Sequence, residues 1–215
     1  MKKLYIIGAG GFGREVAWLV ERINAIKPTW ELQGFLDDDP KKCGVTEGGY
    51  CIIGGRDILE RLEENVWVVC AVGGASTRKK IIEKILKYDK VGFATLIDPS
   101  VLISSSVKVG EGSIICAGTI LTVDIAIGKH VIINLDCTVG HDVQIGDFAT
   151  IYPSVNISGC AIVGEEAELG TGAQIIQGRR IGRKTILGAG AVVIRDLPEE
   201  CTAVGMPARA VKYRE

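Results

Sequence analysis

The chain contains two histidines, and one of them is followed directly by an acid. His141 precedes Asp142, whereas His130 lies within a run of regularly spaced aliphatic residues. Imidazole titrates near neutral pH, so His141 could act as a general base whose tautomer is fixed by the neighbouring carboxylate. A single histidine is more often structural than catalytic, and His130 is typical of that structural class.

A glycine-rich turn near the start of the chain is a second candidate site. Gly8-x-Gly10-x-x-Gly13 follows an apolar run and precedes a helix-like segment, and Asp37 comes about twenty residues later. In this context the backbone N–H groups at the start of a helix can face a diphosphate. Taken alone, the motif suggests NAD binding.

The cysteines do not suggest a metal centre or a disulfide framework. Their number is odd, there is no Cys-x-x-Cys pair, and no serine or cysteine lies in a Gly-x-Ser-x-Gly type of pattern. We therefore expect no covalent acyl-enzyme, and reduced, mostly buried thiols in a cytoplasmic protein. The cysteines are Cys43, Cys51, Cys70, Cys116, Cys137, Cys160 and Cys201.

Charge and hydropathy exclude several classes of partner. The chain has 215 residues, with 25 Lys and Arg against 26 Asp and Glu, so no net field would attract nucleic acid or an anionic membrane. The apolar run at residues 4–7 is far shorter than the roughly 18 residues of a membrane span, and it lacks the features of a signal peptide. We interpret it as the first strand of the fold.

The first 95 or so residues alternate between strand-like and helix-like segments, as in a parallel α/β sheet. The predicted strands are Lys3–Ile7, Leu32–Leu36, Val66–Val72 and Val91–Leu96. The predicted helices are Phe12–Ile26, Asp57–Asn65 and Thr77–Tyr88.

The second half is dominated by a six-residue repeat. Every sixth residue from Ile97 is Ile, Leu or Val, which random order would give on the order of once in 10⁸ trials. The series is Ile97, Ile103, Val109, Ile115, Leu121, Ile127, Ile133, Val139, Ile145, Ile151, Ile157, Val163, Leu169, Ile175, Ile181, Leu187 and Val193. A helix or an ordinary strand has a different period, so neither explains this pattern.

Two further registers define the repeating unit. The residue two places before each aliphatic is usually small or β-branched, and a glycine follows every third aliphatic, so that glycines recur every 18 residues. Three six-residue units, each a short strand and a turn, would close one triangular coil whose aliphatics stack on those of the next coil. We expect the glycines to relieve strain in the turns.

This pattern resembles the hexapeptide-repeat acyltransferases, which fold as a left-handed parallel β-helix. The sequence LYIIGAGGFG at residues 4–13 and GFLDDD at residues 34–39 narrow the resemblance to the bacterial sialic-acid O-acetyltransferase and nucleotide-sugar N-acetyltransferase type. The resemblance implies a small Rossmann-like α/β domain at residues 1–96 that binds a sugar nucleotide instead of NAD. A β-helix acetyltransferase domain with a C-terminal tail would occupy residues 97–215.

The resemblance also implies an acetyl-CoA-dependent enzyme with direct transfer. In this family a histidine and an acid followed by x-x-[Ile/Val]-Gly-[Asp/Glu]-Phe mark the catalytic base, and HDVQIGDF at residues 141–148 matches. His141 would be the base and Asp142 its partner, with Gly159 near the thioester. The family often has a second histidine where this chain has Thr150, so the contact to the acetyl carbonyl differs.

Two further groups of site residues follow from the resemblance. The cofactor-binding candidates, which include the GMPAR tail at residues 205–209, are Gly159, Gly170, Ala173, Arg180, Gly188 and Pro207, with Arg183 a further candidate for CoA phosphates. The substrate-binding candidates are Gly8, Gly10, Gly11, Gly13, Asp37, Asp38, Gly73 and Arg78. Backbone N–H groups near Gly10 would face the diphosphate, and the two acids would meet the base or ribose.

Several alternatives stay open. N-acetylation of a nucleotide-linked amino sugar is favoured, but O-acetylation of a hydroxyl, as on sialic acid, would use the same base. A γ-type carbonic anhydrase needs three histidines for zinc, and this chain has two, so no metal is expected. A non-catalytic NAD-binding module is the third alternative. The resemblance implies a homotrimer that acts in capsule, lipopolysaccharide or glycoprotein glycan synthesis.

Overall fold

The computed structural model describes residues 1–213, which form two compact units. The first unit comprises Met1–Gly73 and Thr77–Pro99, and the second comprises Gly74–Ser76 and the chain from Ser100 onward. The sequence placed the division between residues 96 and 97. Among the described residues, no helix combines the length and the apolar character that crossing a bilayer requires.

The first unit is an α/β domain built on one sheet with the strand order β3-β4-β2-β1-β5-β6, in which only the β3–β4 pair is antiparallel. Apolar side chains of β1 and of helix α1 form its core. The strands are β1 (Lys2–Ile7), β2 (Trp30–Leu36), β3 (Thr46–Glu47), β4 (Tyr50–Gly54), β5 (Val66–Cys70) and β6 (Val91–Phe93), followed by β7 (Leu96–Ile97). The helices are α1 (Gly11–Ile26) and α2 (Ala75–Ile85), with short 3₁₀ helices at Pro40–Lys42 and Arg56–Arg61.

Three features of this unit differ from the sequence prediction. The strand predicted at Val91–Leu96 ends at Phe93, and a separate strand begins at Leu96. The helix predicted at Asp57–Asn65 is a short 3₁₀ helix that ends at Arg61. The β3–β4 hairpin was not predicted, although its turn holds Gly48 and Gly49 with φ of 57° and 85°, a glycine pair typical of tight hairpins.

The second unit is a left-handed parallel β-helix with three sheets. The first sheet contains β10 (Ile114–Ile115), β13 (Ile132–Ile133), β16 (Thr150–Ile151), β19 (Glu168–Leu169), β22 (Ile186–Leu187), β24 (Cys201–Val204) and the antiparallel β25 (Arg209–Tyr213). The second contains β8 (Leu102–Ile103), β11 (Ile120–Leu121), β14 (Thr138–Val139), β17 (Asn156–Ile157), β20 (Gln174–Ile175) and β23 (Val192–Val193). The third contains β9 (Lys108–Val109), β12 (Ala126–Ile127), β15 (Gln144–Ile145), β18 (Ile162–Val163) and β21 (Arg180–Ile181).

Residues 18 positions apart pair in register along each sheet, as Ile115 does with Ile133, so each coil contains three hexapeptides. The predicted aliphatic series is buried from Ile115 to Val193 and stacks as three columns, one on each sheet. Ile97, Ile103 and Val109 are exceptions, and Ile103 is 40% exposed. These three belong to the first turn of the repeat, where no earlier coil lies beneath them.

The glycines that follow the aliphatics have a different role from the predicted one. Positive φ angles occur two residues after these glycines, at Phe148 (58°) after Gly146 and at Glu166 (56°) after Gly164. At Gly146 and Gly164 the φ is ordinary, but an added Cβ would lie 2.6 and 2.5 Å from a backbone nitrogen of the next coil. These glycines are therefore needed because successive coils approach closely. The turn position with positive φ is a different one, and mostly polar residues occupy it.

Candidate active site

His141 and Asp142 form the turn between β14 and β15 in the second unit. His141 Nδ1 lies 2.7 Å from Asp142 Oδ2, and the two side chains are 51% and 59% exposed. Since the carboxylate can only accept, we assign the proton of the neutral imidazole to Nδ1. This leaves the lone pair on Nε2.

Gly159 lies on the next coil, under the imidazole. A Cβ at this position would come within 2.4 Å of His141 Nε2 and 2.6 Å of Cε1. The backbone holds the two turns together, since the Cys160 N–H donates to the His141 carbonyl at 2.8 Å. The absence of a side chain at Gly159 is therefore required for the observed position of the ring.

Cys160 completes the surroundings of the imidazole. Its Sγ lies 4.0 Å from His141 Nδ1, and its side chain is exposed. Cys160 occupies the same position in its turn as Asp142 does one coil earlier, and both have φ of 59°. The sequence prediction did not single out this thiol. Its spacing of 18 residues from Asp142 is the signal that could have identified it.

His130 is structural, as the sequence indicated. It is 4% exposed and stacks on Phe148, with ring centroids 5.1 Å apart. A Cβ on Gly112 would lie 2.1 Å from its Nδ1, so the ring fills the space left by that glycine.

In the glycine-rich turn of the first unit, one glycine is packed tightly against backbone and two others have free space beside them. At Gly13 an added Cβ would lie 2.1 Å from the Gly8 carbonyl oxygen, so this glycine is needed for the contact between helix and strand. A Cβ on Gly10 would meet nothing within 4 Å, and one on Gly11 would meet only the Arg14 side chain at 3.9 Å. Gly10 is the N-cap of α1 and provides no side-chain cap. The start of this helix is therefore open to an anion.

Asp37 lies beside this turn and is held by three donors. Its carboxylate accepts hydrogen bonds from Lys42 Nζ (2.8 Å), from the Asp39 N–H (3.1 Å) and from the Ala9 N–H (3.3 Å). Burial raises the pKa of Asp37, but the Lys42 ammonium and the two N–H donors together bring it below its ordinary value.

Asp38 is paired with Arg56, a residue that the sequence prediction missed. The guanidinium forms a fork on the carboxylate, with Nε at 2.8 Å from Oδ2 and a second, closer contact from Nη2. This hydrogen bonding lowers the pKa of Asp38. A cavity of about 200 Å³ opens beside the pair. It is lined by Ile7, Gly8, Leu36, Asp37, Asp38, Arg56, Val72 and Ile81.

Comparisons with known proteins agree with both units. Residues 3–85 match the family model of the PglD N-terminal domain. The crystal structure of PerB from Caulobacter crescentus, in complex with CoA and GDP-perosamine, is 32% identical, with a TM-score of 0.88, covering 99% of this chain and 98% of that one. The chain belongs to the bacterial sugar N-acetyltransferase family.

Two further relatives support this assignment. The acetyltransferase domain of PglB from Neisseria gonorrhoeae is 30% identical, with a TM-score of 0.88, and the match covers 98% of this chain and all of that domain. UDP-N-acetylbacillosamine N-acetyltransferase of Bacillus subtilis is 41% identical over 110 residues. That alignment spans about half of each protein, 49% of this chain and 47% of the relative.

Arg78 does not have the position expected of a substrate-binding side chain in this family. Its side chain is buried, 1% exposed, and Nη1 donates to the carbonyl oxygens of Val72 (2.7 Å) and Gly73 (2.9 Å). The guanidinium therefore supports the loop at Gly73. We propose that Arg78 is a positioning residue, which holds this loop without contacting a substrate.

The residues predicted to bind the cofactor of the acetyltransferase fall into two groups. Ala173 is fully buried, and Gly170 and Gly188 are packed against the next coil or the tail, so these three can offer only backbone atoms. Arg180 and Pro207 are exposed. Arg183, by contrast, is paired with Glu199 (2.8 Å) and Glu200 (2.7 Å), which leaves its guanidinium less suited to a phosphate.

Thr150 occupies the position at which this acetyltransferase family often has a second histidine. It lies in β16 and is 1% exposed, so its hydroxyl is not presented to solvent. No second imidazole therefore lies at that position in this chain.

Proposed function

We propose that this protein transfers an acetyl group from acetyl-CoA to the amino group of a nucleotide-linked amino sugar. The observation that carries the proposal is the imidazole of His141, held at Nδ1 by Asp142 with Nε2 over Gly159. The Bacillus subtilis relative and the perosamine-acetylating enzyme of Caulobacter crescentus are N-acetyltransferases, which favours an amine over a hydroxyl acceptor.

In the proposed reaction, the sugar amine attacks the thioester carbonyl while His141 Nε2 accepts its proton. The new N–C bond forms, the C–S bond breaks, and the imidazolium returns the proton to the leaving thiolate. Asp142 stabilises the imidazolium through Nδ1. Because Gly159 lies next to Nε2, we assign its backbone N–H to the carbonyl oxygen that becomes negative in the intermediate.

The nucleotide would bind in the first unit. The open N-terminus of α1 at Gly10 and Gly11 suits a diphosphate, because its backbone N–H groups and the helix dipole favour anions. Asp37 and Asp38 line the adjoining cavity, where they would accept hydrogen bonds from the base or ribose. Gly73 follows the lining residue Val72 in the chain and would close the far side.

CoA would bind along the second unit. Gly159, Gly170, Ala173 and Gly188 would contribute backbone contacts, with Pro207 in the tail and Arg180 as the cation for a phosphate. We further propose a homotrimer and a cytoplasmic location. Exposed apolar side chains on the second sheet, Leu102 (64%) and Ile120 (38%), support assembly, which sedimentation would test.

The test incubates the full chain with acetyl-CoA and a panel of acceptors, namely UDP-, GDP- and dTDP-linked amino sugars and sialic acid, with mass spectrometry of the products. We expect the mass gain of one acetyl group on at least one amine. Acetylation of a sialic acid hydroxyl alone would replace the N-acetyl assignment by the O-acetyl one, and no product from any acceptor would refute both.

A His141→Asn variant separates chemistry from binding. We expect kcat to fall by about 10³-fold or more while affinity for CoA stays the same. The design is realistic because variants of the Caulobacter enzyme with one histidine replaced by Asn or Ala were crystallised with CoA and GDP-perosamine. Equal activity of His141→Asn and wild type would contradict a role as base.

A further inference from the structure

Three different metal-ligating side chains meet at one turn of the β-helix. His141 Nδ1 lies 2.7 Å from Asp142 Oδ2 and 4.0 Å from Cys160 Sγ. Each of the three exposed side chains offers one ligand atom, and these atoms all lie within 4.8 Å of one another. The turn geometry produces this arrangement, since Asp142 and Cys160 occupy the same left-handed position on successive coils. Parallel strands place such positions about 4.8 Å apart.

The three ligands have the chemistry of a zinc site. Zn²⁺ prefers imidazole nitrogen, thiolate sulfur and carboxylate oxygen, at about 2.0–2.3 Å, with four ligands in a tetrahedron. In that geometry neighbouring ligand atoms are separated by about 3.3–3.8 Å. The observed separations of 2.7 Å and 4.0 Å from Nδ1 bracket this range, so small side-chain rotations would suffice.

We propose that His141, Asp142 and Cys160 form an inhibitory site for Zn²⁺ or a similar divalent cation, a regulatory role that rests on the proposed function of His141. The metal is not a cofactor in this proposal. It would occupy the side of the imidazole opposite to Nε2, with its fourth position open to water.

Metal binding would disable the base by changing its tautomer. When the metal bonds to Nδ1, the proton leaves that nitrogen and the neutral ring carries its proton on Nε2. Nε2 then has no lone pair with which to accept a proton from the amine. The Cys160 thiol loses its proton to solvent as the sulfur–metal bond forms.

Binding is tested first, on the protein without substrates, so that the result does not depend on the acetyl transfer. Co²⁺ is added as a spectroscopic probe, and Zn²⁺ is titrated against a chromophoric chelator. We expect one tight site per chain and a thiolate-to-Co²⁺ absorption band. Cys160→Ser should abolish the band and weaken Zn²⁺ binding at least tenfold.

Cys43→Ser is the matched control, because Cys43 is also an exposed thiol. We expect it to keep the wild-type band. A band that disappears in Cys43→Ser, or the absence of any thiolate band in the wild type, would overturn the site.

Inhibition is tested second, with each variant normalised to its own activity without metal. Zn²⁺ should inhibit the wild type reversibly, with recovery on adding a chelator, and the inhibitory concentration should rise at least tenfold in Cys160→Ser. Binding without inhibition, or equal inhibition of wild type and Cys160→Ser, would overturn the regulatory role. If the protein showed no acetyl transfer at all, the proposed function would be refuted, but the metal-binding experiment would still decide whether the site exists.

Discussion

Gly159 lies under the imidazole of His141 so closely that a methyl group there would sit 2.4 Å from Nε2. Gly159→Ala must therefore displace the ring from its position. We expect kcat to fall about 100-fold or more, because misplacement of a catalytic group by about 1 Å has an effect of that size. Steady-state kinetics with acetyl-CoA and the accepted amino sugar would measure it.

Gly178→Ala is the control for this prediction. Gly178 follows Cys160 by one coil and has φ of 70°, but an added Cβ would meet nothing within 4 Å. It should reduce stability by about 1 kcal/mol through backbone strain and leave kcat within a few-fold of wild type. Equal kcat values for Gly159→Ala and wild type would show that a side chain at this position does not displace the His141 imidazole from a catalytic position.

Asp142→Asn tests the orientation of the base. An asparagine can place either an oxygen or an N–H group against Nδ1, so it no longer enforces the tautomer with a free Nε2. The same change lowers kcat about 10⁴-fold in a buried hydrolase triad, and we expect about 10²-fold here, because water reaches this exposed pair. Asp124→Asn, in the equivalent turn position one coil earlier, should keep the wild-type kcat. A comparable loss in both variants would indicate a structural effect.

The β-helix could be predicted from the sequence because each of its coils is specified by a short, local residue pattern. One aliphatic in every six residues is enough to specify coils, and the columns from Ile115 to Val193 follow the predicted register. The role of the turn glycines was predicted wrongly. Gly146 is needed because the backbone of Glu165, on the next coil, lies close to it. This contact joins residues 19 positions apart, so a local sequence pattern does not reveal it.

Contacts between side chains of the candidate sites could be predicted only where the two residues are neighbours in sequence. His141 and Asp142 are adjacent, so their pairing could be anticipated. Arg56 meets Asp38, and Cys160 meets His141, through the fold alone. The burial of Arg78 was also not evident, because a charged residue in a helical segment is usually solvated.

Substitution by alanine should have different effects at Gly13 and at Gly11, on stability at the first and on ligand affinity at the second. Gly13→Ala places a Cβ 2.1 Å from a backbone oxygen and should destabilise the first unit by about 3 kcal/mol. Gly11→Ala meets only a flexible arginine, so stability should stay the same while affinity for the sugar nucleotide falls. Tryptophan fluorescence during urea unfolding reports on this unit specifically, because Trp18, Trp30 and Trp67 all belong to it. Normal nucleotide affinity in Gly11→Ala would argue against a diphosphate at the helix start.

Asp37 gives the first unit a pH-dependent stability. Its pKa in the folded state lies below the ordinary value, so its contribution is complete above about pH 5 and is lost as the pH falls through the folded-state pKa. Asp37→Asn should lower the free energy of unfolding by about 1–2 kcal/mol at pH 7, and by less near pH 3. Urea unfolding at both pH values would measure the two differences. If the stability difference between wild type and Asp37→Asn were larger at pH 3 than at pH 7, the proposed role of the Asp37 carboxylate would be wrong.

Arg78 should support the nucleotide site without contacting the nucleotide. Arg78→Met removes the donors to the Val72 and Gly73 carbonyls from a buried position, and we expect a loss of about 3 kcal/mol in stability. The freed loop should raise KM for the sugar nucleotide more than it lowers kcat, and Arg78→Lys, which keeps a donor, should recover part of both. Arg61→Met is the control, because that side chain is 81% exposed and should change neither quantity. If Arg78→Met kept its stability but lost all nucleotide binding, the guanidinium would have to contact the substrate directly, and its assignment as a positioning residue would be wrong.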